Sequence, residues 1–438
     1  MSEKSPKNLG GKPNPFYYWV IGLGIVVSIA RLVFGLKIRR DKAVVKMPGP
    51  LVCLGNHPSF IDPIVMAAVL YGRRINFVAG AFMFRNHFIG PLFISGGCIP
   101  KVQFRSDSRA VKGMLTTLKR GGTLGIFPEA TRLVDGESFP FDDAISRMIK
   151  KTESAVAVMV SRGAYMTWPR WSKSGFRRGK ITAGIKSVLS SDRVREMSVE
   201  EIHEYILKQM EYSEYDWFAQ HPQKFRSRAP ASGAQNVAHA CPRCEKDMVM
   251  KSEKNLLICS SCGNRVRMEE TGFFSPVTPE DRAFSDMHKW VEWERSRMKQ
   301  RVAEPGFSLT EKVTLFKPFG EYAFRKVGEG LLIIRDGKAE YAGTECPVEE
   351  GVEYKKGKPR NKKWIPEEER HYAQVNKIFP VDRLRGLKIE YGKRVELIEA
   401  GGQINRFIPE NGQRTFEMQA AIQAMQEQMA ECRTAACP

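Results

Sequence analysis

Three short stretches of this 438-residue sequence carry residue types able to do chemistry together. In Asn56-His57-Pro58-Ser59-Phe60-Ile61-Asp62 a histidine is followed five residues on by a carboxylate. A carboxylate at that reach can hold the imidazole in one tautomer and stabilise its charged form, which would let His57 act as a general base. In Phe127-Pro128-Glu129-Ala130-Thr131-Arg132 the arginine offers a planar, bidentate donor for phosphate, and Glu129 can orient it or the molecule it holds. Between them, Gly97-Cys98-Ile99-Pro100-Lys101 and then Arg105 add cations. Taken singly, each stretch also fits a surface histidine, a helix-capping aspartate or a common surface ion pair.

A fourth pattern is Cys241-Pro-Arg-Cys244 with Cys259-Ser-Ser-Cys262, two C-x-x-C knuckles. Four thiolates at this spacing can close a tetrahedral Zn²⁺ site of the zinc-ribbon type, with Leu256–Ile258 as a hairpin strand. Four cysteine ligands leave no open position, so the expected metal is structural and no catalytic cofactor is implied. Two disulfides are the alternative if the chain is exported. Cys53, Cys98 and Cys346 lack such spacing.

The elements that must position these residues read as an α/β layer architecture from Pro48 to about Trp217. Leu51–Leu54, Thr123–Phe127 and Ala155–Val160 are apolar runs expected as buried strands, so the first two motifs fall at strand ends. Pro63–Tyr71 and Ser108–Lys119 are expected as helices, the latter capped by Asp107 or Ser108, and Ser198-Val-Glu-Glu has capping-box spacing. Residues 221–237 read as a linker and 238–270 as the ribbon. A helix is expected to start at Thr278-Pro279-Glu280-Asp281 and end at Pro305, within a connector over 271–308. From 309 to 431, strand-like runs alternate with turns such as Asp336-Gly337, and Met418, Ile422, Met425 and Met429 share one face of a closing helix. This mainly-β part resembles a pleckstrin-homology or GRAM-like module, and 432–438 is a tail.

In this order the motifs resemble the signature of the glycerophospholipid acyltransferase family, which includes 1-acylglycerol-3-phosphate acyltransferases. The likeness rests on Asn56-His57 with Asp62, on Gly97 through Arg105, and on Phe127 through Arg132, and covers about residues 36–215 within an expected domain at 47–220. It implies transfer of a fatty acyl group from a thioester, acyl-CoA or acyl-carrier protein, to the hydroxyl of a lysophospholipid. By that resemblance His57 is the base and Asp62 its orienting partner. Lys101, Arg105 and Arg132 hold the acceptor phosphate, while Glu129 and Thr131 position the acceptor or Arg132. The chain departs from the pattern at Ala130, where the family has glycine. It also lacks a clear register for the arginine of the middle block, and Val156–Val160 lacks a proline.

Composition bounds the alternatives. Hydrophobic residues at 42% exclude a largely disordered chain, and nine cysteines in so long a chain argue against a small disulfide-stapled secreted fold. The net charge of +20 favours an anionic partner: lipid surface, phosphorylated substrate or nucleic acid. Nucleic-acid binding through the ribbon would leave the N-terminal motifs without a role, so it is the weaker reading; an inactive lipid-binding scaffold of the same fold is another. Phe16–Leu36, with Arg31 its one charge, is close to bilayer length. Tyr17, Tyr18 and Trp19 at one end and Lys37, Arg39, Arg40, Lys42 and Lys46 beyond the other predict an anchor within residues 1–46 that spans or dips into the membrane. It would hold the protein on the cell membrane with its catalytic domain on the cytoplasmic face. A cleaved signal peptide and a core helix are the competing readings. Trp168-Pro169-Arg170-Trp171, followed by Lys173, Arg177, Arg178 and Lys180, is expected at a lipid surface.

Overall fold

Leu51–Gly55, Thr123–Ile126 and Ala155–Arg162 are near-continuous apolar runs, the pattern of strands covered on both faces, and they form the middle of a seven-stranded sheet. The computed structural model describes residues 9–85, 89–101, 107–319, 323–346, 354–355, 358–359 and 370–435. In chain order a π-helical stretch, Tyr17–Val26, runs into α1 (Val27–Phe34), followed by β1 (Lys37–Arg39), α2 (Lys42–Lys46), β2 (Leu51–Gly55), α3 (Asp62–Val69) and β3 (Ile75–Gly80). Then come α4 (Ile89–Ser95), β4 (Ile99–Lys101), α5 (Ser108–Lys119), β5 (Thr123–Ile126), α6 (Ala144–Thr152), β6 (Ala155–Arg162), α7 (Ala164–Thr167) and β7 (Thr182–Leu189). Helices α8 (Ser191–Glu196), α9 (Val199–Met210) and α10 (Glu214–Gln220) complete this part.

The strand order is β1-β7-β6-β2-β5-β3-β4, with β6, β2, β5, β3 and β4 parallel and β7 antiparallel to β6. One face of the sheet packs on α1 and α3, the other on α5, α6 and α9. The expected helix starts at α5 and α9 are present: Asp107 Oδ1 accepts from the Ala110 N–H at 2.9 Å, and Ser198 and Glu201 form a reciprocal capping box.

The segment expected as an anchor that spans or dips into the membrane folds against the sheet along one side. Among the described residues no helix is long and apolar enough to cross a membrane. Gly35 ends α1 at φ +56°, where a Cβ would meet the Gly179 carbonyl at 2.7 Å. Two residues later the chain is already β1, paired Lys37↔Thr182. Lys37 and Arg39, expected as a flanking charge cluster, therefore stand on a strand, where with Arg162 and Lys186 they line a hollow of about 550 Å³. Tyr18, Val27 and Ala30 are buried in the core with α3, and the Tyr18 hydroxyl accepts from the Ile75 N–H at 3.1 Å. The other side of this segment leaves Phe16, Ile25, Ile29 and Leu32 in the open. Overall hydropathy measured how apolar the segment is, not that one face is packed on the sheet.

The stretch expected as a ribbon, with the residues just after it, forms a four-stranded antiparallel sheet, β8 (Met250–Glu253), β9 (Leu256–Cys259), β10 (Arg265–Met268) and β11 (Phe274–Pro276), followed by α11 (Met287–Ala303). The helix expected at Thr278 is not there. Asp281 instead folds back to accept from the Thr278 N–H and hydroxyl, both at 3.0 Å, and α11 begins on the Asp286 cap. Nor is 221–237 a loose linker: Phe225, Ala231, Ala234 and Val237 are buried. A Cβ on Gly233 would fall 2.2 Å from the Trp171 carbonyl, so the small residues that looked like linker composition permit close packing.

The C-terminal part is mainly β as expected. It comprises β12 (Leu309–Phe319), β13 (Ala323–Arg335), β14 (Lys338–Glu345), the short pair β15 (Tyr354–Lys355) and β16 (Lys358–Pro359), β17 (Ala373–Pro380), β18 (Gly386–Glu390), β19 (Arg394–Ile398) and β20 (Ile404–Pro409), then α12 (Arg414–Ala435). Seven of these form one antiparallel sheet, β17-β14-β13-β12-β20-β19-β18, against which α12 buries Met418, Ile422 and Met425. A single apolar cluster joins Tyr165, Met166 and Trp171 of the first part, Cys241, Met250 and Leu257 of the ribbon, Trp290 of α11 and Leu315 and Phe407 of this sheet. The three parts therefore share one core.

Candidate active site

β2 and β5 are adjacent and parallel, so the loops leaving their C-terminal ends meet. Asn56 fastens the first loop to β6: its side chain donates to the Ser161 carbonyl at 2.9 Å and accepts from the Ser161 N–H at 2.8 Å. His57 comes next, with Pro63 in the first turn of α3 fixing where Asp62 begins that helix. His57 Nδ1 lies 2.8 Å from Asp62 Oδ2, which also accepts from the Ser59 N–H at 2.8 Å. With Nδ1–H donating to Asp62, the free lone pair is on Nε2. Asp62 is fully buried, and burial pushes its carboxyl above the usual range; the His57 hydrogen bond and charge and the Ser59 N–H oppose that shift. The His57 ring is partly open, 22% exposed, and stacks on Phe127 with centroids 4.7 Å apart.

The second loop is tied to the first. Glu129 Oε2 accepts from the backbone N–H of His57 at 2.8 Å, and the Leu133 N–H donates to the His57 carbonyl at 3.1 Å. Burial pushes the Glu129 carboxyl up to about 8, in part offset by the His57 N–H. Ala130 adopts φ +57°, the left-handed region that glycine enters freely and alanine does not. The Arg132 guanidinium lies over the Phe60 ring, 3.4 Å from its centroid. Burial, and next the charge of Arg170, bring Arg132 down to about 10, so it stays cationic at neutral pH. Asp62 Oδ1, Glu129 Oε1 and Arg132 Nη1 are buried with no hydrogen-bond partner among the described residues. Unpaired polar atoms of both signs beside a histidine fit a site that completes its bonds with a polar ligand.

The structure brings His57, Asp62, Glu129, Thr131 and Arg132 together, with Thr131 Oγ1 accepting from Arg170 Nη1 at 2.7 Å. Lys101 is exposed at the end of β4, three strands from β2 and so about 14 Å away at ordinary strand spacing. Arg105 lies outside the described residues. Between two tryptophans, Arg170 has the sequence setting of an interfacial cation, and no local spacing relates it to residue 131. Its neighbours also correct the lipid-surface reading. Trp171 is buried and donates to the Tyr165 hydroxyl at 3.1 Å. Arg177 is buried too and donates to the Pro230 carbonyl at 2.9 Å. Trp168 does meet open surface, through contacts with Phe34, Phe60 and Phe176.

The four cysteine sulfurs, Cys241, Cys244, Cys259 and Cys262, all lie within 4.8 Å of one another. Cys241–Cys262 and Cys244–Cys259 are 3.6 and 3.8 Å apart, close to the edge of about 3.8 Å that Zn–S bonds of ~2.3 Å impose on a tetrahedron. The cysteines are unbridged, and the Arg243, Ser261 and Cys262 N–H groups point at the sulfurs of Cys241 and Cys259 at 3.4 Å. This donor set fits a tetrahedral, thiolate-liking metal ion.

Residues 37–162 match the model of the Acyltransferase family, a span that contains His57, Asp62, Glu129 and Arg132 and ends before Arg170 and the cysteines. The chloroplastic 1-acyl-sn-glycerol-3-phosphate acyltransferase LPAT1 of Arabidopsis thaliana is 27% identical over 168 residues, 38% of this chain and 46% of that protein. The chloroplastic 1-acyl-sn-glycerol-3-phosphate acyltransferase BAT2 of Brassica napus is 25% identical over 163 residues, 35% of this chain and 47% of that protein. The chain thus spans less than half the length of these curated relatives. Among solved structures, the 1-acyl-sn-glycerophosphate acyltransferase PlsC of Thermotoga maritima aligns with a TM-score of 0.39 and 18% identity, over 47% of this chain and 81% of that one.

Proposed function

We propose that this protein is an O-acyltransferase that moves a fatty acyl group from an acyl thioester to the free hydroxyl of a lysophospholipid, 1-acylglycerol-3-phosphate in the first instance, for phospholipid synthesis. The observation that carries the reading is the His57–Asp62 pair at 2.8 Å, joined through Glu129 to the loop that bears Arg132. His57 Nε2 takes the proton of the acceptor hydroxyl as its oxygen attacks the thioester carbonyl carbon. The C–O bond forms, the C–S bond breaks, and the proton passes to the departing thiolate. Asp62 holds the tautomer and offsets the imidazolium charge. Arg132 binds the acceptor phosphate and so places the hydroxyl beside His57. Glu129 and Thr131 keep the Arg132 loop in register, Arg105 is a further cation toward phosphate, and Lys101, farther along the sheet, adds only to the positive field that draws the phosphate in. Acyl-CoA and acyl-carrier protein are both acidic donors suited to a chain of charge +20.

Membrane association belongs to the same reading. The outer side of the first helical segment, with Ile25, Ile29 and Leu32, would dip into the cytoplasmic leaflet of the cell membrane, and Phe176 and Phe60 continue the apolar surface to the site. Cys241, Cys244, Cys259 and Cys262 would hold a structural Zn²⁺, which fixes the ribbon and, with four cysteine ligands, keeps no open position for chemistry. The four-strand and three-strand meanders closed by α12 support the pleckstrin-homology or GRAM-like likeness of the C-terminal part. The close approach of His57, Asp62 and the Arg132 loop supports an enzyme over an inactive scaffold.

The test is acyl transfer to 1-acylglycerol-3-phosphate by the full chain with lipid, offering acyl-CoA and acyl-carrier protein separately. Turnover by wild type and its loss in His57→Ala at unchanged thermal stability are expected. No turnover by wild type on any lysophospholipid overturns the reading in favour of the scaffold.

A further inference from the structure

Arg170 links the loop that carries the phosphate-binding arginine to a part of the chain some 219 residues away. It lies beyond the span shared with the Acyltransferase family, between α7 and β7. One nitrogen, Nη1, donates to Thr131 Oγ1 at 2.7 Å and reaches the Arg132 carbonyl at 3.5 Å. The other, Nη2, donates to the Ile389 carbonyl on β18 of the C-terminal sheet. The guanidinium also faces the Tyr391 ring at 5.2 Å from its centroid, inside the ~6 Å reach of a cation–π contact.

The C-terminal end of this linkage is itself braced. The Tyr391 hydroxyl donates to Gln419 Oε1 on α12 at 2.9 Å, and the Gly392 N–H donates to Thr415 Oγ1 at 3.0 Å. Tyr391 is buried. The carboxylate of Glu390, beside Tyr391, is also among the groups whose charge acts on Arg132. On the loop side, Ala130 at φ +57° holds a conformation that costs energy for a residue with a Cβ, so the loop needs outside contacts to keep it.

We propose that Arg170 is a positioning residue through which the β18–β19 turn of the C-terminal sheet holds the Phe127–Arg132 loop, making the C-terminal part a working portion of the acceptor-phosphate site. This rests on the acyltransferase reading for its substrate class, a lysophospholipid bearing a phosphate, but the clamp itself is a property of the folded chain. Arg170 acts through Thr131 and the Arg132 backbone. It sets where the Arg132 guanidinium stands, and the neighbouring positive charge of Arg170 favours an anion beside it. A lysine keeps that charge but lacks the planar fork that spans two partners, and so replaces only part of it.

Two measurements on the full chain test the clamp, using Arg170→Gln, Arg170→Lys and, from the other side, Tyr391→Leu. The first is amide hydrogen exchange over peptides covering 127–133, which needs no substrate. Faster exchange there is expected in Arg170→Gln and Tyr391→Leu, with Arg170→Lys between them and wild type, while the β2 and β6 peptides stay protected. Unchanged exchange over 127–133 in both variants overturns the clamp, whether or not the protein turns over. The second is steady-state kinetics. The acceptor KM for 1-acylglycerol-3-phosphate is expected to rise about tenfold or more in Arg170→Gln and several-fold in Tyr391→Leu, with the donor KM unchanged. A matched loss of kcat with an unaltered acceptor KM also overturns it. Altered exchange with no turnover in wild type would retain the clamp and remove the acyltransferase reading.

Discussion

The carboxylate of Glu129 accepts a hydrogen bond from the backbone N–H of His57 at 2.8 Å, across 72 residues of sequence. One motif thereby sets the backbone of the other, so Glu129 fixes where the His57 backbone stands. Its position also puts a buried acid in contact with the site, with consequences for pH.

Burial holds Glu129 at about 8, above its ordinary 4.5. For an acid whose pKa rises on folding, the native state binds the extra proton. Stability is then highest below the ordinary pKa and falls as pH climbs through the folded one. Between about pH 4.5 and about pH 8, wild type is therefore expected to lose thermal stability relative to Glu129→Gln, whose amide oxygen can still accept from His57. Melting curves of both proteins across that range check it; a Tm difference that does not change with pH would contradict the assignment.

Removing the base or its partner addresses the chemistry. His57→Ala and Asp62→Asn are each expected to lower kcat by about 10²–10⁴, the usual worth of a positioned acid–base group. Because the two side chains act as one unit, the double variant should lose little more than the worse single one. Saturating kinetics of the three variants settle the point, and additive losses would mean that the pair does not work together.

Ala130 at φ +57° predicts a gain from glycine. Ala130→Gly relieves a Cβ clash worth about 1–2 kcal/mol, less the added freedom of glycine in the unfolded chain, for a net gain of about 0.5–1 kcal/mol. The denaturant midpoint should move up. A midpoint that moves down would show the alanine methyl to be packed usefully.

Metal removal should be felt beyond the ribbon. Cys241, Met250 and Leu257 share a core with Tyr165, Met166 and Trp171, so a chelator is expected to lower the melting temperature of the whole chain in one transition. Elemental analysis should find one zinc per chain in wild type and none in Cys241→Ser with Cys259→Ser. Intact stability in a metal-free chain would remove the structural metal.

The outer side of the first helical segment predicts where lipid is met. Leu32 is 87% exposed and Ile29 54%, so Ile29→Ser with Leu32→Ser removes apolar surface without opening the core. Binding to vesicles containing anionic lipid should weaken about tenfold or more, as expected for apolar side chains worth roughly 1 kcal/mol each when partly buried in the interface. Tm should not change. Equal vesicle binding by the variant would place the lipid-facing surface elsewhere.

Much of the site was readable from the sequence because it is local. His57 and Asp62 are five residues apart across one strand-to-helix turn, and the knuckle spacing of Cys241–Cys244 and Cys259–Cys262 lets each pair converge on one centre. The apolar runs at Leu51, Thr123 and Ala155 identified the strands whose ends bear the motifs, since a strand covered on both faces must be apolar throughout. The start of α9 followed from its capping-box spacing and the buried face of α12 from helical period, for the same reason.

Other features were settled only in three dimensions. Phe16–Leu36 is apolar enough to suit a bilayer, yet its inner side packs on α3, because hydropathy counts apolar atoms and does not say what covers them. Small, proline-rich residues over 221–237 permit both a loose linker and a tightly packed coil, and Trp171 and Phe225 decided for the coil. Arg170 and Ile389 meet across most of the C-terminal half of the chain, at a distance where no periodicity or spacing operates. The sequence by itself determined which candidate side chains stand together at the strand ends and which strands present them, because those depend on neighbours within a turn or two. The tertiary structure decided which distant parts brace them, because the packing of one shared core, not any local preference, brings the β18–β19 turn against the Arg132 loop.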